Sequence, residues 1–93
     1  MPDRNEAMEI LVVDDRQDNL DDMQELLESI EQPVHCVDSG ARALEYLAQR
    51  DVALVLLDVQ MPRMDGFEVA RRMRSDPHTR LIPIIFVSGM AQT

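Results

Sequence analysis

Three carboxylates and one hydroxyl stand where the apolar runs of this chain end. Asp14 and Asp15 follow Ile10–Val13, Asp58 follows Val52–Leu57, and Ser88 follows Ile84–Val87. A charge placed straight after an apolar run is costly unless it opens onto water or a partner. Open parallel sheets put their ligand sites outside the carboxyl ends of the strands. If the first and third runs are neighbouring strands, the three acids meet in one crevice. Unit charges about 4 Å apart repel by roughly 4 kcal/mol at an effective dielectric near 20, so such a cluster holds either protons or a cation. An all-oxygen set, without His or thiolate, suits a hard divalent ion. Mg2+ fits best, because it keeps waters and takes few carboxylates plus a phosphate oxygen; Ca2+ wants more oxygens, and no EF-hand loop pattern is present. A carboxylate beside Mg2+ can act as a nucleophile towards a phosphoryl group, and Ser88 is placed to bond a phosphoryl oxygen. Helix capping and surface solvation are the plainer reading of Asp14 and Asp15, and the combination with Asp58 and Ser88 weighs against it.

The elements that must position these groups alternate along the chain. Ile10–Val13 is a run of strand length, and Leu20, Met23, Leu27 and Ile30 then recur at helical steps, with Leu26 widening the stripe. Asp18 or Asn19 is the expected N-cap of that helix and Pro33 its stop. Val34–Val37 reads as a second strand. Ser39 caps a helix that turns Ala43, Leu44, Leu47 and Ala48 inward. After the third strand, Val52–Leu57, comes a loop with Pro62, and Asp65 and Glu68 have the spacing of a capping box. Phe67, Ala70 and Met73 mark the expected apolar side of the helix it opens. Pro83 introduces the fourth strand, Ile84–Val87, which Ser88 and Gly89 close. The order βαβαβαβ, with strands that are continuously apolar and not alternating, predicts an α/β domain: a doubly wound parallel sheet with helices on both faces.

Composition narrows the function classes. Ninety-three residues make one domain, residues 1–93, with residues 1–7 expected as a flexible leader. A net charge of −9 disfavours nucleic acid and anionic membrane as direct partners. Arg71, Arg72 and Arg74 share their helix with acidic neighbours and read as a solvated face. The single Cys36 is expected to be a buried structural thiol in a reducing compartment. The N-terminal residues lack the pattern of a signal peptide, and no apolar run has membrane-spanning length, so a cytoplasmic location is expected. His35 and His78 have no partner at metal-ligand spacing. Gly40, Gly66 and Gly89 are isolated, which leaves no glycine-rich phosphate loop.

The segments ILVVDD, LVLLDVQMPRMDGFE and PIIFVSG resemble the receiver domain of two-component response regulators, over nearly all of Glu9 to Gly89. The resemblance implies the flavodoxin-like fold, with strand order 2-1-3-4 for the strands present. It implies that Asp58 accepts a phosphoryl group from a histidine kinase or phosphotransfer protein. Asp14, Asp15 and Asp58 would bind Mg2+ together with the backbone carbonyl of Gln60, and Ser88 would contact the phosphoryl group. Gln60 and Met90 are similar in position to family residues that tune dephosphorylation. The family pattern continues through a fourth helix, a fifth strand with an essential Lys, and a fifth helix. This sequence has none of these and contains no Lys. The expectation is therefore a truncated receiver, impaired in phosphorylation. Its uncovered fourth strand is expected to favour homodimerisation or strand exchange. Two alternatives accompany it: a non-catalytic interaction or dimerisation module with a vestigial acidic site, and a Mg2+-dependent phosphohydrolase with an aspartyl nucleophile. The second is disfavoured because such enzymes want another acid two residues after the nucleophile, where this chain has Gln60. The resemblance thus implies a signalling module and not an enzyme.

Overall fold

The computed structural model describes residues 8–87, so residues 1–7, where a leader was expected, and Ser88, Gly89 and Met90 lie outside the described residues. The elements run β1 (Ile10–Val13), α1 (Gln17–Glu28), β2 (Val34–Val37), α2 (Gly40–Leu47), β3 (Leu54–Asp58), α3 (Gly66–Ser75) and β4 (Ile84–Val87). The four strands form one parallel sheet in the order β2-β1-β3-β4, the doubly wound, flavodoxin-like order expected.

Pleating divides the central strands between two cores. Leu11, Val13, Val55 and Leu57 face α2 and α3, where Ala43, Leu47, Val69 and Met73 complete one buried cluster. Ile10, Val12 and Leu56 face α1, with Leu20 and Leu27 completing the other. Both faces of β1 are thus covered, which is why ILVV is buried at every position.

Several local expectations need correction. The β3 ladder starts at Leu54 and not Val52; before it, the Ala53 N–H donates to the Glu9 carbonyl at 2.8 Å. Helix α1 starts at Gln17 after Arg16, which makes no side-chain capping bond, so neither Asp18 nor Asn19 is the cap. That helix ends at Glu28, leaving Leu26 and Ile30 exposed and narrowing the buried stripe to Leu20 and Leu27. Ala48 lies beyond α2 and is exposed. In α3 the inward stripe is Gly66, Val69 and Met73. Phe67 is 60% exposed and meets Phe86 of β4, ring centroids 5.2 Å apart. Cys36 is half-buried, its Sγ 3.7 Å from Gln24 Oε1. Burial, and secondarily the charge of Asp21, pushes the thiol above its ordinary range.

Two caps behave as expected. Ser39 Oγ accepts from the Arg42 N–H at 3.1 Å, and Asp65 Oδ1 from the Glu68 N–H at 2.9 Å. Glu68 does not close the reciprocal half of a capping box; its carboxylate pairs with Arg71 and Arg72. On β4, Ile85 and Phe86 are 51% and 43% exposed, as the edge reading expected. Among the described residues, no helix is long and apolar enough to cross a membrane.

Candidate functional site

Parallel register carries the acids to one place. Val13 of β1 pairs with Leu57 of β3, so Asp14 and Asp58 follow at the same level of the sheet. One carboxylate oxygen from each of Asp14, Asp15 and Asp58 lies within 4.8 Å of the others. Asp14 and Asp58 are buried, whereas Asp15 is exposed. The crevice is therefore dry on one side and open on the other.

Each buried acid is held by specific donors. The Gln60 N–H donates to Asp58 Oδ1 at 3.2 Å, which places Gln60 beside the site. Asp14 Oδ1 accepts from the Arg16 N–H at 2.9 Å and Oδ2 from the Asn19 side-chain amide at 3.1 Å. Among the described residues none of the three acids forms an ion pair with an Arg or His side chain. The cost appears at Asp58: burial and the charges of Asp14 and Asp15 push its carboxyl above the usual carboxylate range, while the Gln60 N–H pulls the other way.

The loop behind Asp58 is built for close approach. The Gly66 N–H donates to the Val59 carbonyl at 2.9 Å, and a Cβ on Gly66 would stand 2.3 Å from the Asp58 carbonyl oxygen. No side chain fits there, so the start of α3 is held against the end of β3 by a glycine. Within the loop, the Met64 N–H bonds the Pro62 carbonyl across Arg63, whose φ is 69°, a strained γ-turn.

Of the residues expected to carry chemistry, the structure brings together Asp14, Asp15 and Asp58, with Gln60 alongside. Ser88, expected to contact the phosphoryl group, falls outside the described residues, one position beyond Val87, which pairs with Asp58. Sequence reasoning missed Asn19 and Gly66 as parts of the site. Asn19 has a local signature that equally suits a cap, and Gly66 is explained only by a contact with backbone that precedes it.

The donor set fits a small divalent cation. Three oxygen anions converge without any side-chain counter-charge among the described residues, and the set includes neither nitrogen nor sulfur.

Comparison with known proteins follows the same direction. The family model described as response regulator receiver domain matches residues 10–93. A probable cyclic di-GMP phosphodiesterase from Vibrio cholerae is 45% identical over 80 residues, covering 86% of this chain and 18% of that protein. The signal transduction histidine-protein kinase BarA of Shigella flexneri is 40% identical over 85 residues, covering 91% of this chain and 9% of that protein. The chain thus spans less than a fifth of the length of these curated relatives. Among solved structures, one neighbour is the receiver domain of the sensor histidine kinase PA1611 from Pseudomonas aeruginosa PAO1, with magnesium ion coordinated in its active site cleft. It superposes with a TM-score of 0.83 at 28% identity, covering 91% of this chain and 70% of that one.

Proposed function

Because the chain belongs to the response regulator receiver domain family, we propose that it accepts a phosphoryl group on Asp58 in a two-component relay. The observation that carries this reading is the meeting of Asp14, Asp15 and Asp58 within 4.8 Å at the carboxyl end of the sheet. Receiver domains are signalling phospho-acceptors that work with histidine kinases or phosphotransfer proteins. The donor here would be such a protein, met in the cytoplasm.

Asp58 Oδ1 is engaged by the Gln60 N–H, which orients the carboxylate and leaves Oδ2 as the attacking oxygen. Oδ2 attacks the phosphorus of a phosphohistidine; the P–N bond breaks, and the imidazole nitrogen departs with the electron pair. Asp14, Asp15, Asp58 and the Gln60 carbonyl would hold Mg2+, and Ser88 would bond a phosphoryl oxygen. A bound Mg2+ would offset the repulsion between the carboxylates and the incoming phosphate. These 93 residues contain no Lys, so they supply no ammonium for the phosphoryl group, and acceptance by this chain alone is expected to be slow.

Incubation with Mg2+ and acetyl phosphate, followed by intact-mass spectrometry, tests the reading. One base-labile phosphoryl adduct should form, and Asp58→Asn should abolish it. A folded wild-type chain that takes no adduct at high donor and Mg2+ would refute it.

A further inference from the structure

Asp14 is 3% exposed, and a buried carboxylate needs donors to both oxygens. One donor is fixed by the backbone: the Arg16 N–H on Oδ1 at 2.9 Å. The other is a side chain, the Asn19 amide on Oδ2 at 3.1 Å. Asn19 stands in the first turn of α1, the third residue after Arg16, whose own side chain makes no capping bond. A polar side chain at that place ordinarily reaches back to the free N–H of the capping residue. In this chain Asp14 occupies that N–H, and Asn19 reaches past it to the same carboxylate. The bridge ties the first turn of α1 to the end of β1 through the acid itself. The two neighbouring acids are held less firmly. Asp58 has the Gln60 N–H on one oxygen, and no hydrogen bond to Asp15 is found among the described residues.

We infer that Asn19 is a positioning residue for cation binding, its amide fixing the rotation of the Asp14 carboxylate that faces the crevice. The inference rests on the phospho-acceptor reading above. Donor chemistry makes the residue type specific. An acid at position 19 could not donate when ionised, and an apolar residue would leave Oδ2 without a partner. Asp18 next to it cannot substitute, since it is exposed and faces Arg16 at 3.9 Å. Loss of a hydrogen-bonding partner behind a metal ligand commonly weakens metal affinity ten- to a hundredfold.

The test is Mg2+ titration by calorimetry on unphosphorylated wild type, Asn19→Ala, Asn19→Leu and Asn19→Gln. Asn19→Ala and Asn19→Leu should bind Mg2+ about 10–100-fold more weakly. Asn19→Gln, which keeps the amide, should stay closer to wild type. Metal-free Asn19→Ala and Asn19→Leu should melt somewhat lower, since the donor lost to buried Asp14 outweighs their better helix propensity, so affinities are compared at a temperature where every variant is folded. That separates positioning from a merely structural role. At saturating Mg2+, adduct formation from acetyl phosphate should return towards the wild-type rate. Wild type that binds Mg2+ while Asn19→Ala and Asn19→Leu bind it equally well would overturn the inference alone. A folded wild type indifferent to Mg2+ would overturn the phospho-acceptor reading, and the inference with it.

Discussion

Replacing Asp58 with Asn removes one charge from the acidic cluster while preserving almost all of its shape. The amide oxygen can still accept from the Gln60 N–H, and its NH2 can donate towards Asp14. The ligand oxygens of the three acids lie within 4.8 Å of one another, a separation at which each charged pair repels by roughly 3–4 kcal/mol at an effective dielectric near 20. Asp15 is exposed, and water screens its share. The net relief on removing the Asp58 charge is therefore about 1–3 kcal/mol, a sizeable fraction of a typical total of roughly 5–15. Urea unfolding in EDTA should show Asp58→Asn to be more stable than wild type by that amount. With Mg2+ a hundredfold above its dissociation constant, wild type should gain about 2.7 kcal/mol and Asp58→Asn much less. The pH dependence has a definite sign. The folded-state value for Asp58 lies above its ordinary 3.8, so the folded chain retains a proton that the unfolded chain has lost. This contribution to stability is complete below about 3.8 and is lost as pH rises through the raised folded value. Metal-free Asp58→Asn should not share that loss. If Asp58→Asn is less stable than wild type in EDTA, or if Mg2+ stabilises both equally, the electrostatic account of the site is wrong.

Three further outcomes follow from local geometry. Gly66→Ala should destabilise the fold by about 1–3 kcal/mol in urea, although Ala is by propensity the better helix former by up to about 1 kcal/mol; the new Cβ would meet the backbone of Asp58 and Val59, and a stabilised variant would contradict the contact. Asp65→Ala should cost about 0.5–2 kcal/mol in the same assay, by freeing the Glu68 N–H. Tyr46, the only tyrosine in a chain without tryptophan, should ionise near pH 12, because burial and its hydrogen bond to Glu9 push the phenol up to about 12. Absorbance titration of the folded chain reads this directly, Glu9→Gln should lower it, and stability should decline as pH rises from 10 towards 12.

The central strands β1 and β3 were legible because a strand buried on both faces declares itself as a short apolar run. ILVV and LVLL needed no partner to be recognised, and the acid after each marked the end facing the crevice. Helix faces were less legible. In α3, Phe67 outweighs Val69 in hydrophobicity, yet geometry puts Gly66, Val69 and Met73 on the sheet side and leaves Phe67 to meet Phe86 at the rim. In α1, Leu26 and Ile30 extend the three-four rhythm, but one narrow stripe suffices to cover Ile10, Val12 and Leu56. Asn19 shows the same limit at the site. A neutral amide near a helix start reads as a cap, and only the burial of Asp14 reveals that its bond goes there instead.

The pairing of Val13 with Leu57 has a bearing on which changes of length this chain can absorb. Asp14 and Asp58 lie far apart in sequence, yet their meeting depends on ladder alignment and not on how many residues separate them. Extra residues in the turns around Pro33 or Arg50 would leave the two acids facing the same notch. A single residue inserted within Leu54–Leu57 would turn Asp58 to the opposite side of the sheet, dismantling the site while the composition stayed almost the same.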